Sequence, residues 1–162
     1  TLLFFVVTPL FPLGPYRLFG PWGAFFTTAV MIGPFIAAQT MLGGFARAVS
    51  VAAFLSLFHV VQFHTGSAFG VIVPFHAHPP AWLAIAAILI PAILLDLTRK
   101  LPEDARGGAA GLVMGVLLFA FISHFDQAFL LSRTAVIAAI TASAAGGVLG
   151  GFFARQFARP LW

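Results

Sequence analysis

Apolar segments long enough to cross a lipid bilayer follow one another along almost the whole chain. A helix needs about 20 mostly apolar residues to span the hydrocarbon core, and five segments reach this length. Charged residues make up only 7% of the chain, against roughly 25% in soluble domains. We therefore predict an integral membrane protein without a separate soluble domain.

The same segments predict an all-α, polytopic transmembrane bundle that occupies residues 1–162 as one domain. The alternating pattern of a membrane β-barrel is absent, and helices are the other structure that satisfies its own backbone in lipid. Residues 1–13 begin inside an apolar run without a basic leader, so we interpret them as the outer end of an incomplete first helix. The six predicted spans are about 1–13, 21–43, 46–66, 80–98, 108–127 and 134–154.

Basic residues orient this predicted bundle. Cytoplasmic connections carry an excess of Lys and Arg, and six of the eight basic residues fall in the connections on one side. We therefore predict cytoplasmic termini and an outer, periplasmic-side connection around residues 66–79. Because the basic residues mark membrane edges, the net charge of +4 does not indicate a nucleic-acid partner. The six on the predicted cytoplasmic side are Arg47, Arg99, Lys100, Arg106, Arg155 and Arg159, and the other two are Arg17 and Arg133.

Histidines gather at the predicted outer face. The stretch "FHTGSAFGVIVPFHAHPPAW" contains His64, His76 and His78, and the fifth span ends near His124 and Asp126. Residues two apart in an extended loop project to the same side, so His76 and His78 can act together. Imidazole is a ligand for copper, zinc and iron, and a carboxylate can bind or orient beside it. We predict a metal site from these five residues; the alternative is a merely polar outer rim.

Other polar residues have simpler interpretations. The chain has no cysteine, which excludes disulfides and thiolate metal sites. His59 lies deeper in its span, where a functional role and a hydrogen bond between helices are equally good explanations. The stretch "RKLPEDAR" predicts a solvated cytoplasmic loop, with Asp96 capping or pairing with Arg99 or Lys100 at the membrane edge. The small residues of "AGGVLGG" predict close contact with another helix, in this chain or in a partner.

Three stretches carry a resemblance to a known family. "GPFIAAQTML", "AAILIPAILLDLTRK" and "AAGLVMGVLLFAF" resemble the A subunit of copper membrane monooxygenases, which act on methane, ammonia and short hydrocarbons. Gln39 and Asp96 bracket an interval of similar length to that in the family. The resemblance covers about residues 25–125 and implies a membrane scaffold around a copper site, working with other membrane subunits.

The sequence also departs from this family. The long outer segment before the final span is absent, and His59, Gln62 and His64 replace an outer helix end rich in acidic, amide and tryptophan residues. The resemblance also implies that partner subunits supply most of the metal ligands, so no ligand residue can be assigned from it. We expect a shortened relative that serves as a subunit of a copper-dependent oxidoreductase. The alternatives are a subunit that binds a b-type haem, for example through His64 and His124, and a purely structural or transport subunit.

Overall fold

The computed structural model describes residues 22–65, 81–122 and 133–158, which form five α-helices and no strand. The all-α prediction is confirmed for this part of the chain, whereas the predicted span 1–13 lies outside it. We number the helices in chain order: α1 (Gly23–Leu42), α2 (Arg47–Thr65), α3 (Ala81–Leu97), α4 (Glu103–Ile122) and α5 (Arg133–Phe157).

Only two of the described helices, α1 and α5, are long and apolar enough to cross a membrane. The described apolar stretches of α2 and α3 are shorter, covering Arg47–Leu57 and Ile85–Leu97. By length and composition, the described residues therefore support two spans rather than the six expected. The helices themselves follow the predicted segments 21–43, 46–66, 80–98 and 134–154 closely.

The start of α4 differs from the prediction. The expected loop "RKLPEDAR" is a turn only up to Pro102, and the helix begins at Glu103, five residues before the predicted span. Glu103 and Asp104 occupy the first turn, where negative side chains are stabilised by the helix dipole. The backbone N–H of Arg106 donates to the carbonyl of Pro102 at 3.1 Å. The charges that suggested a solvated loop are therefore a helix start.

Glycines hold α5 against two neighbouring helices. A Cβ at Gly146 would overlap the carbonyl of Phe25 in α1, and a Cβ at Gly147 would overlap the carbonyl of Gly107 in α4. One turn further along α5, Gly150 and Gly151 repeat the two contacts. Small residues allow this approach of one backbone to another. The predicted role of "AGGVLGG" is confirmed, and its helix partners lie within this chain.

Helix directions alternate along the chain from α1 to α5. Side chains near the ends of α1 and α3 meet the start of α2, and Arg155 near the end of α5 pairs with Asp104 at the start of α4. We call this side of the molecule the polar end. Towards the middle, α1 buries one face at helical spacing, including Ile32, Phe35 and Ile36. These three residues belong to one apolar core cluster that includes residues of all four other helices.

The glycine contacts generate a matched pair of substitutions. Gly147→Ala should destabilise the fold by about 1–3 kcal/mol, because the added methyl group overlaps the Gly107 carbonyl and forces α4 and α5 apart. Gly33→Ala is the control, since its Cβ would lie 3.5 Å from the nearest atom, an ordinary contact. It should be neutral or stabilising by up to about 1 kcal/mol. Thermal unfolding in mild detergent, followed by circular dichroism, measures both. Equal stability of the two variants would contradict the proposed packing.

Candidate functional site

The predicted metal ligands lie outside what the structure describes. His76, His78, His124 and Asp126 fall in undescribed segments, and His64 lies in the last turn of α2, where only the backbone is described. Among the residues whose side chains are described, no group of three or more His, Cys, Asp or Glu could hold a metal ion. The outer-face metal site therefore stays a prediction.

A buried polar cluster at the polar end is the site that the structure does describe. Its centre is Asp96, near the end of α3, which is 2% exposed. The side-chain amide of Gln39 on α1 donates to Asp96 Oδ1 at 2.6 Å. The backbone N–H of Val49 in α2 donates to Asp96 Oδ2 at 3.0 Å. One carboxylate thus joins three helices.

The start of α2 explains why this carboxylate is needed there. Helices leave their first backbone N–H groups without partners inside the helix, and the residue before Arg47 is Ala46, which has no side-chain oxygen. Ala46 also has a positive φ of 62°, a conformation that is unfavourable for a residue with a Cβ. Asp96 supplies the missing acceptor from another helix.

This arrangement corrects the prediction for Asp96. It does not pair with Arg99 or Lys100, both of which are exposed. A buried polar side chain is costly unless it is hydrogen-bonded, and the bonds from Gln39 and Val49 satisfy that requirement. Asp96 is the only acidic residue of its apolar segment and Gln39 the only amide of its own. Because each buried polar side chain needs a hydrogen-bond partner, the contact between Gln39 and Asp96 could have been predicted from the sequence. The contact with the backbone N–H of Val49 leaves no signal in the sequence.

Arg106 is the buried cation of the cluster. Predicted as a topology signal at the membrane edge, it lies in the first turn of α4 and is only 4% exposed. Its guanidinium is 3.4 Å from both the carbonyl oxygen of Arg99 and Glu103 Oε1. Burial lowers the pKa of Arg106, while the charges of Glu103 and Asp96 oppose that shift. The carboxylates therefore stabilise its charged form.

The cluster also contains buried polar atoms that the described residues do not satisfy. Gln39 Oε1 and Arg106 Nε have no hydrogen-bond partner in the described part of the chain. In contrast, both oxygens of Asp96 are occupied by protein donors. A carboxylate bound in this way is poorly placed to bind a metal or accept a proton from a substrate. The cluster therefore has a structural role, which is to fix the relative positions of α1, α2 and α3.

An open apolar groove of about 350 Å³ lies at the other end of α5. Trp22, Ile137 and Ala142 line part of it, and threonines 134 and 141 supply its few polar atoms. The described residues that line the groove include no titratable side chain.

Comparison with known proteins finds no matching family, no matching characterised protein and no matching solved structure. Functional inference therefore depends on the residues themselves.

The polar cluster leads to a second matched pair of substitutions. Asp96→Asn should destabilise the fold by about 2 kcal/mol, because a neutral amide replaces the carboxylate in two buried hydrogen bonds and Gln39 must turn its own amide to stay bonded. Asp104→Asn, the same substitution at the same end, removes a half-exposed ion pair in which Arg155 Nη1 lies 3.3 Å from the carboxylate. Its cost should be at most about 1 kcal/mol. Thermal unfolding in detergent compares the two, and an Asp96→Asn variant as stable as Asp104→Asn would refute the role assigned to Asp96.

Proposed function

We propose that this chain is a membrane-embedded helical subunit of a copper-dependent, monooxygenase-like oxidoreductase, with about six spans. The observation that carries the proposal is the direct hydrogen bond between Gln39 and Asp96. Gln39 and Asp96 lie in two of the stretches that resemble the monooxygenase A subunit. Their contact gives both stretches a common structural purpose, which is to fix α1, α2 and α3 as a scaffold.

The surface of the bundle supports a location in lipid. Large apolar side chains are exposed on every described helix, for example Phe54 at 57%, Trp82 at 64% and Ile137 at 65%. Soluble monomers rarely expose extended apolar surface. Prolines 34 and 91 lie inside α1 and α3, and interior prolines are more frequent in membrane helices than in soluble ones.

The charge distribution supports one orientation. The polar end carries Arg47, Arg99, Lys100, Arg106 and Arg155, whereas Arg133 at the start of α5 is the basic residue that the structure describes at the other end. By the positive-inside rule the polar end faces the cytoplasm. The segments with the predicted ligands then begin or end on the outer side, since α2 and α4 end there and α3 and α5 begin there.

The proposed metal site uses His64, His76, His78, His124 and Asp126. His64 belongs to the end of α2, His76 and His78 precede the start of α3, and His124 and Asp126 follow the end of α4. In the proposed orientation these three helix ends lie on the outer side. Copper is the metal that the family resemblance implies, and imidazole suits it. The described polar cluster supports a metal site at the outer end, because the carboxylates of the polar end already have protein partners.

Other membrane subunits are the proposed partners. The glycine face of α5 is already covered by α1 and α4, so it is not the contact surface. A partner would instead pack against the exposed apolar side chains described above. Such packing would contribute the further ligands that the resemblance implies.

The orientation can be tested by labelling from one side of the membrane. Lys100→Cys and Arg133→Cys replace exposed residues at opposite ends of the bundle, in a chain that has no cysteine of its own. An impermeant thiol reagent added outside intact cells should label position 133 and spare position 100, because only the former lies on the proposed outer side. Permeabilised cells provide the control, in which both positions react. The reverse labelling pattern would overturn the orientation and the outer-face site.

The metal can be tested by elemental analysis and absorption spectroscopy of the purified complex. We expect copper without a Soret band, and the double substitution of His76→Ala and His78→Ala should remove it. His59→Ala, a histidine outside the proposed set, is the matched control and should retain the metal. Metal binding should weaken as pH falls through about 6.5, because only neutral imidazole is a ligand. A Soret band would favour the haem alternative; absence of both signals would favour a structural or transport subunit.

A further inference from the structure

A basic and aromatic surface lies at the rim of the polar end. It is formed by two segments that are distant in the sequence: residues 43–47, the turn after α1 with the first residue of α2, and residues 98–102 between α3 and α4. The hydrogen bonds from Gln39 and Val49 to Asp96 bring these segments together. We call Phe45, Arg47, Arg99 and Lys100 the basic rim.

The three cations of the basic rim are exposed. Arg47 donates through Nε to the carbonyl of Gly43 at 2.9 Å, which holds the side chain against the turn. The guanidinium of Arg99 lies over the ring of Phe45, 5.8 Å from its centroid. None of the three makes an ion pair with an acidic residue in the described part of the chain.

The acidic residues nearby do not neutralise the rim. Asp96 is buried beneath it and already accepts two hydrogen bonds. Glu103 faces the buried Arg106, and Asp104 pairs with Arg155. With five basic and three acidic side chains among its described residues, the polar end has a net charge of +2, and the three cations of the basic rim have no ion-pair partner there, so the rim attracts an anion.

Exposed apolar side chains border these charges. Phe45 is 62% exposed, and the positive φ angles of Gly43, Gly44 and Ala46 produce the sharp turn that carries it. Leu97 is 68% exposed and ends the helix just before Arg99. Cations next to exposed apolar groups match the headgroup and the upper acyl chains of a phospholipid. Free phosphate would use only the cations.

We propose that the basic rim binds the phosphate of an anionic phospholipid in the cytoplasmic leaflet. Arg47, Arg99 and Lys100 contact the phosphate, while Phe45 and Leu97 contact the acyl chains below it. The cytoplasmic leaflet is rich in anionic lipid, and basic residues at its surface are attracted to it. This inference rests on the proposed membrane embedment, and it adds a specific lipid class and a specific binding surface.

Native mass spectrometry of the full chain tests the lipid site. The protein, released from mild detergent, is mixed with equal amounts of phosphatidylglycerol and phosphatidylcholine that have identical acyl chains. We expect a preference for phosphatidylglycerol of at least about fivefold, the effect of one cation at headgroup level. The triple variant with Arg47→Gln, Arg99→Gln and Lys100→Gln should bind both lipids about equally. Arg133→Gln, an exposed cation at the opposite end, is the matched control and should retain the preference.

Each other outcome contradicts a distinct part of the proposal. Equal binding of the two lipids by the unmodified chain, or an unchanged preference in the triple variant, overturns the lipid site. Loss of phosphatidylglycerol adducts on addition of inorganic phosphate identifies a free anion as the ligand and also overturns it. Circular dichroism of the triple variant shows that lost preference does not come from unfolding. A chain that remains soluble and folded without detergent instead overturns the membrane embedment itself.

Discussion

The carboxylate of Asp96 is the interaction on which the polar end of the molecule depends. It accepts hydrogen bonds from α1 and from the first turn of α2 while belonging to α3. The turn before α2 contains no capping side chain and places Ala46 at a positive φ. Without an acceptor from another helix, that turn would combine backbone strain with unsatisfied N–H groups. A buried acidic residue therefore replaces the local cap that the sequence of α2 lacks.

Two different kinds of contact hold the helices together, and α1 takes part in both. On one side, glycines of α5 allow backbone-to-backbone contact with α1 and α4, so close packing is the main attraction. On the other side, α1, α2 and α3 share a polar centre and an apolar core. In lipid no hydrophobic force drives helices together, and van der Waals packing and hydrogen bonds take its place. The described structure uses both.

The two ends of the molecule have different chemical roles in our proposal. At the polar end the acidic residues bind protein groups, and the remaining cations form a surface for anionic lipid. The opposite end, where α2 and α4 end, is the proposed side of the metal site. A scaffold anchored at one membrane surface and a metal centre at the other would allow the protein to keep a fixed depth while a partner subunit approaches from outside.

The sequence by itself determined the helical class, the segments that become α1, α2, α3 and α5, and the close packing of "AGGVLGG", because apolar length and small side chains act locally. The prediction from the sequence was wrong at the start of α4. Glu103 and Asp104 were interpreted as part of a loop, although negative residues are also common in the first turn of helices. Only the tertiary structure decided that Asp96 and Arg106 are buried between helices. Their partners are a residue 57 positions away, a backbone N–H and a neighbouring carboxylate. Such contacts depend on how helices meet in space, which apolar periodicity does not encode.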